Sequence, residues 1–176
     1  MKRFFVVLGL AGLLSLLSTQ GHAQYSKGDH MINLGFGLNS YYSGGLPFCA
    51  GYEYGVTKYI SAGGQLDYFH YHYGAYGSDY NFSALYLSGR VSYHFNELFN
   101  INDKKWDFYG GGSIGYRAYN DNYNGPAYTR SGYYGNSVWL GVHAGAKYYF
   151  AQNFGAFAEI GALGSTNIRT GITLRF

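Results

Sequence analysis

The chain has 176 residues, 12 Lys and Arg against 9 Asp and Glu, and only 12% charged side chains, which is one domain's worth of polypeptide with little net charge. Its 22 Tyr, 13 Phe and 28 Gly would suit a disordered low-complexity chain, but such a chain has no reason to alternate apolar and polar residues, and this one does. The lone Cys49 excludes an intramolecular disulfide and reads as a small apolar filler.

Lys2 and Arg3 precede an apolar run over residues 4–17, and Gly21 and Ala23 put small side chains at both cleavage-recognition positions. That order predicts a secretory signal peptide over residues 1–23, leaving residues 24–176 as the mature domain. The run is shorter than the roughly 20 residues of a spanning helix. Gln24, rather than Cys, after the cut argues against a lipid anchor. Without Lys2 and Arg3 the balance falls from 12 against 9 to 10 against 9, so the apparent basicity supports no nucleic-acid partner.

Beyond Asp29, runs of about ten residues with period-2 alternation are separated by clusters of Gly, Asn, Ser and Asp, as in tilted membrane-crossing strands. Eight strands are predicted. Residues 30–38 set Ile32, Leu34, Phe36 and Leu38 against Asn33, Gly35 and Gly37. Residues 48–54 set Phe48, Ala50, Tyr52 and Tyr54 against Cys49, Gly51 and Glu53. Residues 59–69 set Ile60, Ala62, Leu66 and Tyr68 against Ser61, Gln65 and Asp67. Residues 82–95 set Leu85, Leu87, Val91, Tyr93 and Phe95 against Tyr86, Ser88, Arg90, Ser92 and His94. Residues 106–118 set Trp106, Phe108, Ile114 and Tyr116 against Asp107, Tyr109, Ser113 and Arg117. Residues 137–150 set Val138, Leu140, Val142, Ala144, Ala146 and Tyr148 against Trp139, His143 and Lys147. Residues 154–162 set Phe154, Ala156, Ala158 and Ile160 against Phe157 and Glu159. Residues 167–176 set Ile168, Ile172, Leu174 and Phe176 against Arg169, Thr173 and Arg175.

A soluble barrel turns its apolar face inward; a barrel in lipid turns it outward. Three features favour lipid. Charge is scarce, at 12% against the roughly 25–35% of a soluble surface. The polar faces are rich in Gly, which suits a cramped interior. Aromatics gather at predicted strand ends (Tyr52, Tyr54, Tyr59, Phe95, Trp106, Tyr148, Phe150, Phe154), where interfacial girdles belong. The prediction is an all-β fold, an eight-stranded antiparallel up-and-down transmembrane β-barrel. Extracellular connections are expected over 39–47, 70–81, 119–136 and 163–166, and periplasmic turns over 55–58, 96–105 and 151–153.

The end Ile168-x-Thr170-x-Ile172-x-Leu174-x-Phe176 resembles the terminal strand read by the outer-membrane assembly machinery, with Phe176 as the signal. The stretch from Gly51 to Ile60 (GYEYGVTKYI) resembles the second strand, tight turn and third strand of OmpA/OmpX-like barrel domains. The resemblance implies a Gram-negative outer-membrane address, with outer-membrane lipid and the assembly machinery as partners. It implies no single biochemical activity.

Several groups are candidates for function. Glu53, Asp67, Arg90, Asp107, Arg117, Lys147, Glu159, Arg169 and Arg175 fall on polar faces, as an ion pathway or as a salt-bridged plug. His70 and His72 have metal-compatible spacing but no third ligand, so no metal or cofactor is expected. His143 suggests a hydrolase triad, but no Ser and acid are placed beside it by sequence. Tyr119, Tyr123, Tyr128, Arg130, Tyr133 and Tyr134 make the third extracellular segment a candidate contact surface for a protein or glycan. The leading expectation is a non-enzymatic envelope or surface-interaction barrel; the alternatives are a narrow passive pore and a lipid-modifying enzyme.

Overall fold

A strand sends successive side chains to opposite faces, so eight alternating runs can close into a barrel with one face inside. The computed structural model describes residues 25–38, 40–41, 45–75, 78–124 and 135–176. Residues 1–23, read as a signal peptide, lie outside them. The strands are β1 (His30–Gly37), β2 (Phe48–Gly55), β3 (Ile60–Ala75), β4 (Ser78–His94), β5 (Trp106–Asn124), β6 (Ser137–Tyr149), β7 (Phe154–Ala162) and β8 (Ile168–Arg175). Each pairs antiparallel with its chain neighbour, and β1 pairs with β8 to close the barrel.

The closing seam is tight. A Cβ on Gly171 would lie 2.0 Å from the Leu34 carbonyl oxygen, and one on the facing Gly35 would lie 2.1 Å from that of Thr170. Neither position has room for a side chain.

The burial pattern is inverted relative to a soluble protein. Leu140 is 76% exposed and Val142 64%, whereas Glu53, Asp107 and Lys147 are fully buried. Only a lipid-facing exterior makes that arrangement favourable. At the end where β1 begins and β8 finishes (the termini end of the described residues) the outward aromatics form a girdle. Tyr59 stacks on Tyr93, Tyr93 meets Phe95, Trp106 meets Tyr148, and Tyr148 continues through Phe150 to Phe154.

Parts of two expected loops prove to be strand. β3 runs to Ala75 and β4 begins at Ser78, so most of 70–81 is paired sheet, with His70 opposite Ser83 and His72 opposite Asn81. β5 likewise continues to Asn124, into the segment read as the third extracellular loop. The physical reason is a reversal of hydrophobic phase. Up to Tyr68, apolar side chains of β3 face out and Gln65 and Asp67 face in; beyond it, Phe69 turns in and His70 and His72 turn out. On β4, Leu85 and Leu87 face out, but so do Asn81 and Ser83 above them, while Phe82 is buried. The same strands leave lipid for water and exchange faces. The other five strands keep their predicted bounds to within a residue at each end.

Candidate functional site

Four environments are candidates: the charged lumen, its two ends, and the outward face of the long strands. The lumen carries a continuous ion-pair ladder. Glu53 accepts from Lys147 Nζ at 3.1 Å, Asn33 Nδ2 at 2.9 Å, Ser61 Oγ at 2.9 Å and Ser92 Oγ at 3.2 Å. Arg90 lies 3.9 Å from Glu53 and 2.6 Å from Glu159. Glu159 also accepts from Tyr109 OH at 2.9 Å and from Arg169 Nη1 at 2.8 Å. Arg169 Nη2 in turn reaches Asp67 at 2.8 Å. Lys147, Glu53, Arg90, Glu159, Arg169 and Asp67 thus alternate in sign, and none is more than 4% exposed.

The other three predicted interior charges stand outside this ladder. Asp107 pairs with His94 at 2.7 Å. Arg175 donates to the Gln152 carbonyl at 2.7 Å, approaches Asp29 at 3.8 Å and lies over the Tyr149 ring. Arg117 is half-buried, donates to Ser137 Oγ at 2.6 Å and lies over Tyr119.

Sequence reasoning passes over His94, although its place on the polar face of β4 is readable. Its Nδ1 meets Asp107 at 2.7 Å and its Nε2 meets Ser61 Oγ at 3.0 Å, which is the spacing of a Ser–His–Asp triad. The serine's proton is directed elsewhere, however, toward Glu53 at 2.9 Å. Ser61 is also fully buried, and the arrangement is a strut between β3, β4 and β5. His143 has a serine too, since its Nε2 lies 2.9 Å from Ser92 Oγ, but Ser92 also bonds Glu53 and is fully buried.

Both ends of the lumen are covered. At the termini end, Tyr25 stacks on His94 with ring centroids 3.5 Å apart and 2° between planes. Its single hydroxyl proton is shared between the carbonyls of Thr57 at 2.8 Å and Ile60 at 2.5 Å. Burial, with Asp107 and Asp29 nearby, holds this phenol's pKa above its usual value, so it stays a donor. Asn96 organises the adjoining turn, donating to the Trp106 carbonyl and accepting from Phe108 N. At the far end Phe69, Phe82, Ala84 and Tyr86 form an apolar cluster against which Tyr71, Tyr119 and Trp139 pack. The 163–166 connection, expected as an extracellular loop, folds into the mouth: Leu163, Ser165 and Thr166 are buried, and Ser165 Oγ donates to Asp67 at 3.0 Å.

Of the proposed contact tyrosines, Tyr119 lies in β5, its hydroxyl 3.1 Å from that of Tyr86. It belongs to the inner lid rather than to a loop. Tyr128, Arg130, Tyr133, Tyr134 and the side chain of Tyr123 lie outside the described residues. His70 and His72 project outward, and His72 Nδ1 meets Asn81 Oδ1 at 2.7 Å. Among the described residues no group of three or more His, Cys, Asp or Glu is arranged to hold a metal. Phe176 is exposed on the lipid face, and its backbone exchanges two hydrogen bonds with His30 across the seam.

No protein-family model matches the chain, and no curated protein matches it. Solved structures do. The outer membrane protein OprG of Pseudomonas aeruginosa is 11% identical, with 89% of this chain and 99% of that chain covered and a TM-score of 0.57. Ail of Yersinia pestis, in complex with the heparin analogue sucrose octasulfate, is 15% identical over 85% and 99%, with a TM-score of 0.50. A barrel from the de novo design of transmembrane β-barrels is 17% identical over 87% and 99%, also at 0.50. At such identities the likeness is one of fold. This chain has the architecture of the small eight-stranded outer-membrane barrels.

Proposed function

We propose that this chain is a non-enzymatic barrel of the bacterial outer membrane, with its termini end in the periplasm and the long β3–β5 wall outside the cell. On this reading it contributes to envelope structure and meets its partners, a protein or glycan, through that wall and residues 120–136. The observation that carries the reading is the exchange of faces along β3 and β4. A strand that is apolar-out up to Tyr68 and polar-out from His70 leaves the bilayer there and stands in water.

The paired interior supports a structural rather than a conducting barrel. An eight-stranded lumen is only wide enough to be filled by side chains, and here ion pairs fill it between two aromatic lids. Likeness to a barrel solved with a heparin analogue supports only that this fold can present a ligand site.

Replacing residues 121–134 with a short Gly/Ser linker tests the reading. The barrel should still fold, whereas cell adhesion, partner capture or envelope resistance should fall. All three unchanged would count against a role for that segment, and stable open channels from the intact monomer in planar bilayers would refute the structural reading.

A further inference from the structure

The outward face of the long strands has a chemistry that solvation alone does not require. Tyr68, His70, Asn81, Ser83 and Asn120 line a groove of ≈ 270 Å³ on the outside of β3, β4 and β5. It offers an aromatic ring that is 44% exposed, an imidazole, two carboxamides and a hydroxyl, and among the described residues no Lys, Arg, Asp or Glu lines it. Its rim is fixed by β pairing, by the His72–Asn81 contact at 2.7 Å, and by Ser83 Oγ donating to the Asn120 carbonyl at 3.4 Å. Immediately below it, on the same outward face, stand Leu66, Leu85 and Leu87, with Leu66 opposite Leu87 and Leu85 opposite Tyr68.

Rings that stack on C–H faces, with neutral amides and hydroxyls around them, suit a polyhydroxylated ligand. A phosphate would call for cations, and the described residues of the groove supply none. The leucines beneath suit acyl chains. We propose that this groove seats the neutral sugar portion of an outer-leaflet glycolipid, whose acyl chains lie on the Leu66–Leu85–Leu87 surface below.

The inference rests on the outer-membrane orientation proposed above. Two measurements keep their failures apart. The first is surface labelling of Ser83→Cys on whole cells with a membrane-impermeant maleimide; the native Cys49 is buried and does not compete. Labelling supports the orientation; no labelling in cells whose protein labels after lysis refutes the orientation itself. The second is photo-crosslinking from a benzophenone at position 83, in full-length protein reconstituted into asymmetric vesicles.

The vesicles carry phospholipid alone, a purified lipopolysaccharide with core sugars, or the same glycolipid after dephosphorylation. Crosslinking to both glycolipids should exceed that to phospholipid at least fivefold. His70→Ala/Asn81→Ala/Asn120→Ala should remove most of that excess while the barrel keeps its heat-modifiable gel shift. All three side chains point away from the core, and the gel shift checks that the barrel still folds. Equal crosslinking to phospholipid would overturn the proposal. So would loss of the excess on dephosphorylation alone, or equal capture of the free core oligosaccharide by protein in detergent.

Discussion

Glu53 on β2 and Lys147 on β6 meet across the lumen at 3.1 Å, both fully buried, though 94 residues separate them in the chain. Neither strand pairs with the other in the sheet, so the contact ties opposite walls of the barrel. Replacing one partner leaves the other charged and buried, a loss of about 3–5 kcal/mol for a buried pair. Glu53→Gln keeps the shape and removes the charge from beside both Lys147 and Arg90, so it should be the costlier single change. Lys147→Met leaves Glu53 with Arg90 and three hydrogen-bond donors, and should cost less. Adding Lys147→Met to Glu53→Gln should cost less than the sum, with a coupling of about 1 kcal/mol or more. Urea unfolding in lipid vesicles reads all four proteins. Strict additivity would show that the pair contributes nothing beyond packing.

Why that pair is only half legible in the sequence follows from what alternation encodes. Period 2 assigns Glu53 and Lys147 to inward faces, and strand position puts both near the termini end. Which inward charge meets which depends on barrel circumference and stagger, and those are set by all eight strands together. The same limit hides the role of His94, whose inward parity is plain but whose partners Asp107 and Ser61 lie on two neighbouring strands. The extension of β3–β5 escapes the sequence for a different reason. The apolar phase that identifies each strand in lipid reverses at Phe69, so a continuous strand reads as an end followed by a polar loop.

The two lids close a lumen that the ion pairs already fill. Tyr25→Ala removes the stack on His94 and the shared hydrogen bond, and Trp139→Ala thins the opposite aromatic cluster. Between them the Lys147–Glu53 and Arg90–Glu159 pairs still occupy the bore. Each single variant should remain non-conducting in planar bilayers. Tyr25→Ala should lose about 1–3 kcal/mol of stability from the hydrogen bond and stacking. A steady open state in Tyr25→Ala alone would mean that the tyrosine, and not the ion-pair ladder, closes the lumen.

The bilayer boundary on β4 is sharp enough to test residue by residue. Val91 faces lipid near the middle of the strand's apolar stretch, whereas Ser83 faces outward beyond Leu85. Val91→Arg should destabilise the vesicle-embedded barrel by about 2–4 kcal/mol, and Ser83→Arg by about 0–1 kcal/mol, because an arginine's cost falls with its distance from the bilayer midplane. Equal costs at the two positions would move the boundary and undo the assignment of β3–β5 above Tyr68 to water.

Closure of the barrel depends on backbone contact at the β1–β8 seam. Gly171 faces Gly35, and a methyl group on Gly171 would lie 2.0 Å from the Leu34 carbonyl oxygen, an atom held in the ladder that joins the first and last strands. No flexible side chain is there to yield, so Gly171→Ala must part the strands or shift their register. A one-residue slip would turn Arg175 toward lipid and Phe176 toward the lumen. The cost should therefore reach the upper end of the roughly 1–3 kcal/mol usual for overpacking. It should appear as a reduced folded fraction on heat-modifiability gels. Gly28→Ala probes a glycine whose added methyl would meet nothing within 4 Å but whose φ is +92°, so its effect is confined to local backbone strain outside the sheet. Gly171→Ala folding as well as Gly28→Ala would show that the seam has slack that this geometry denies.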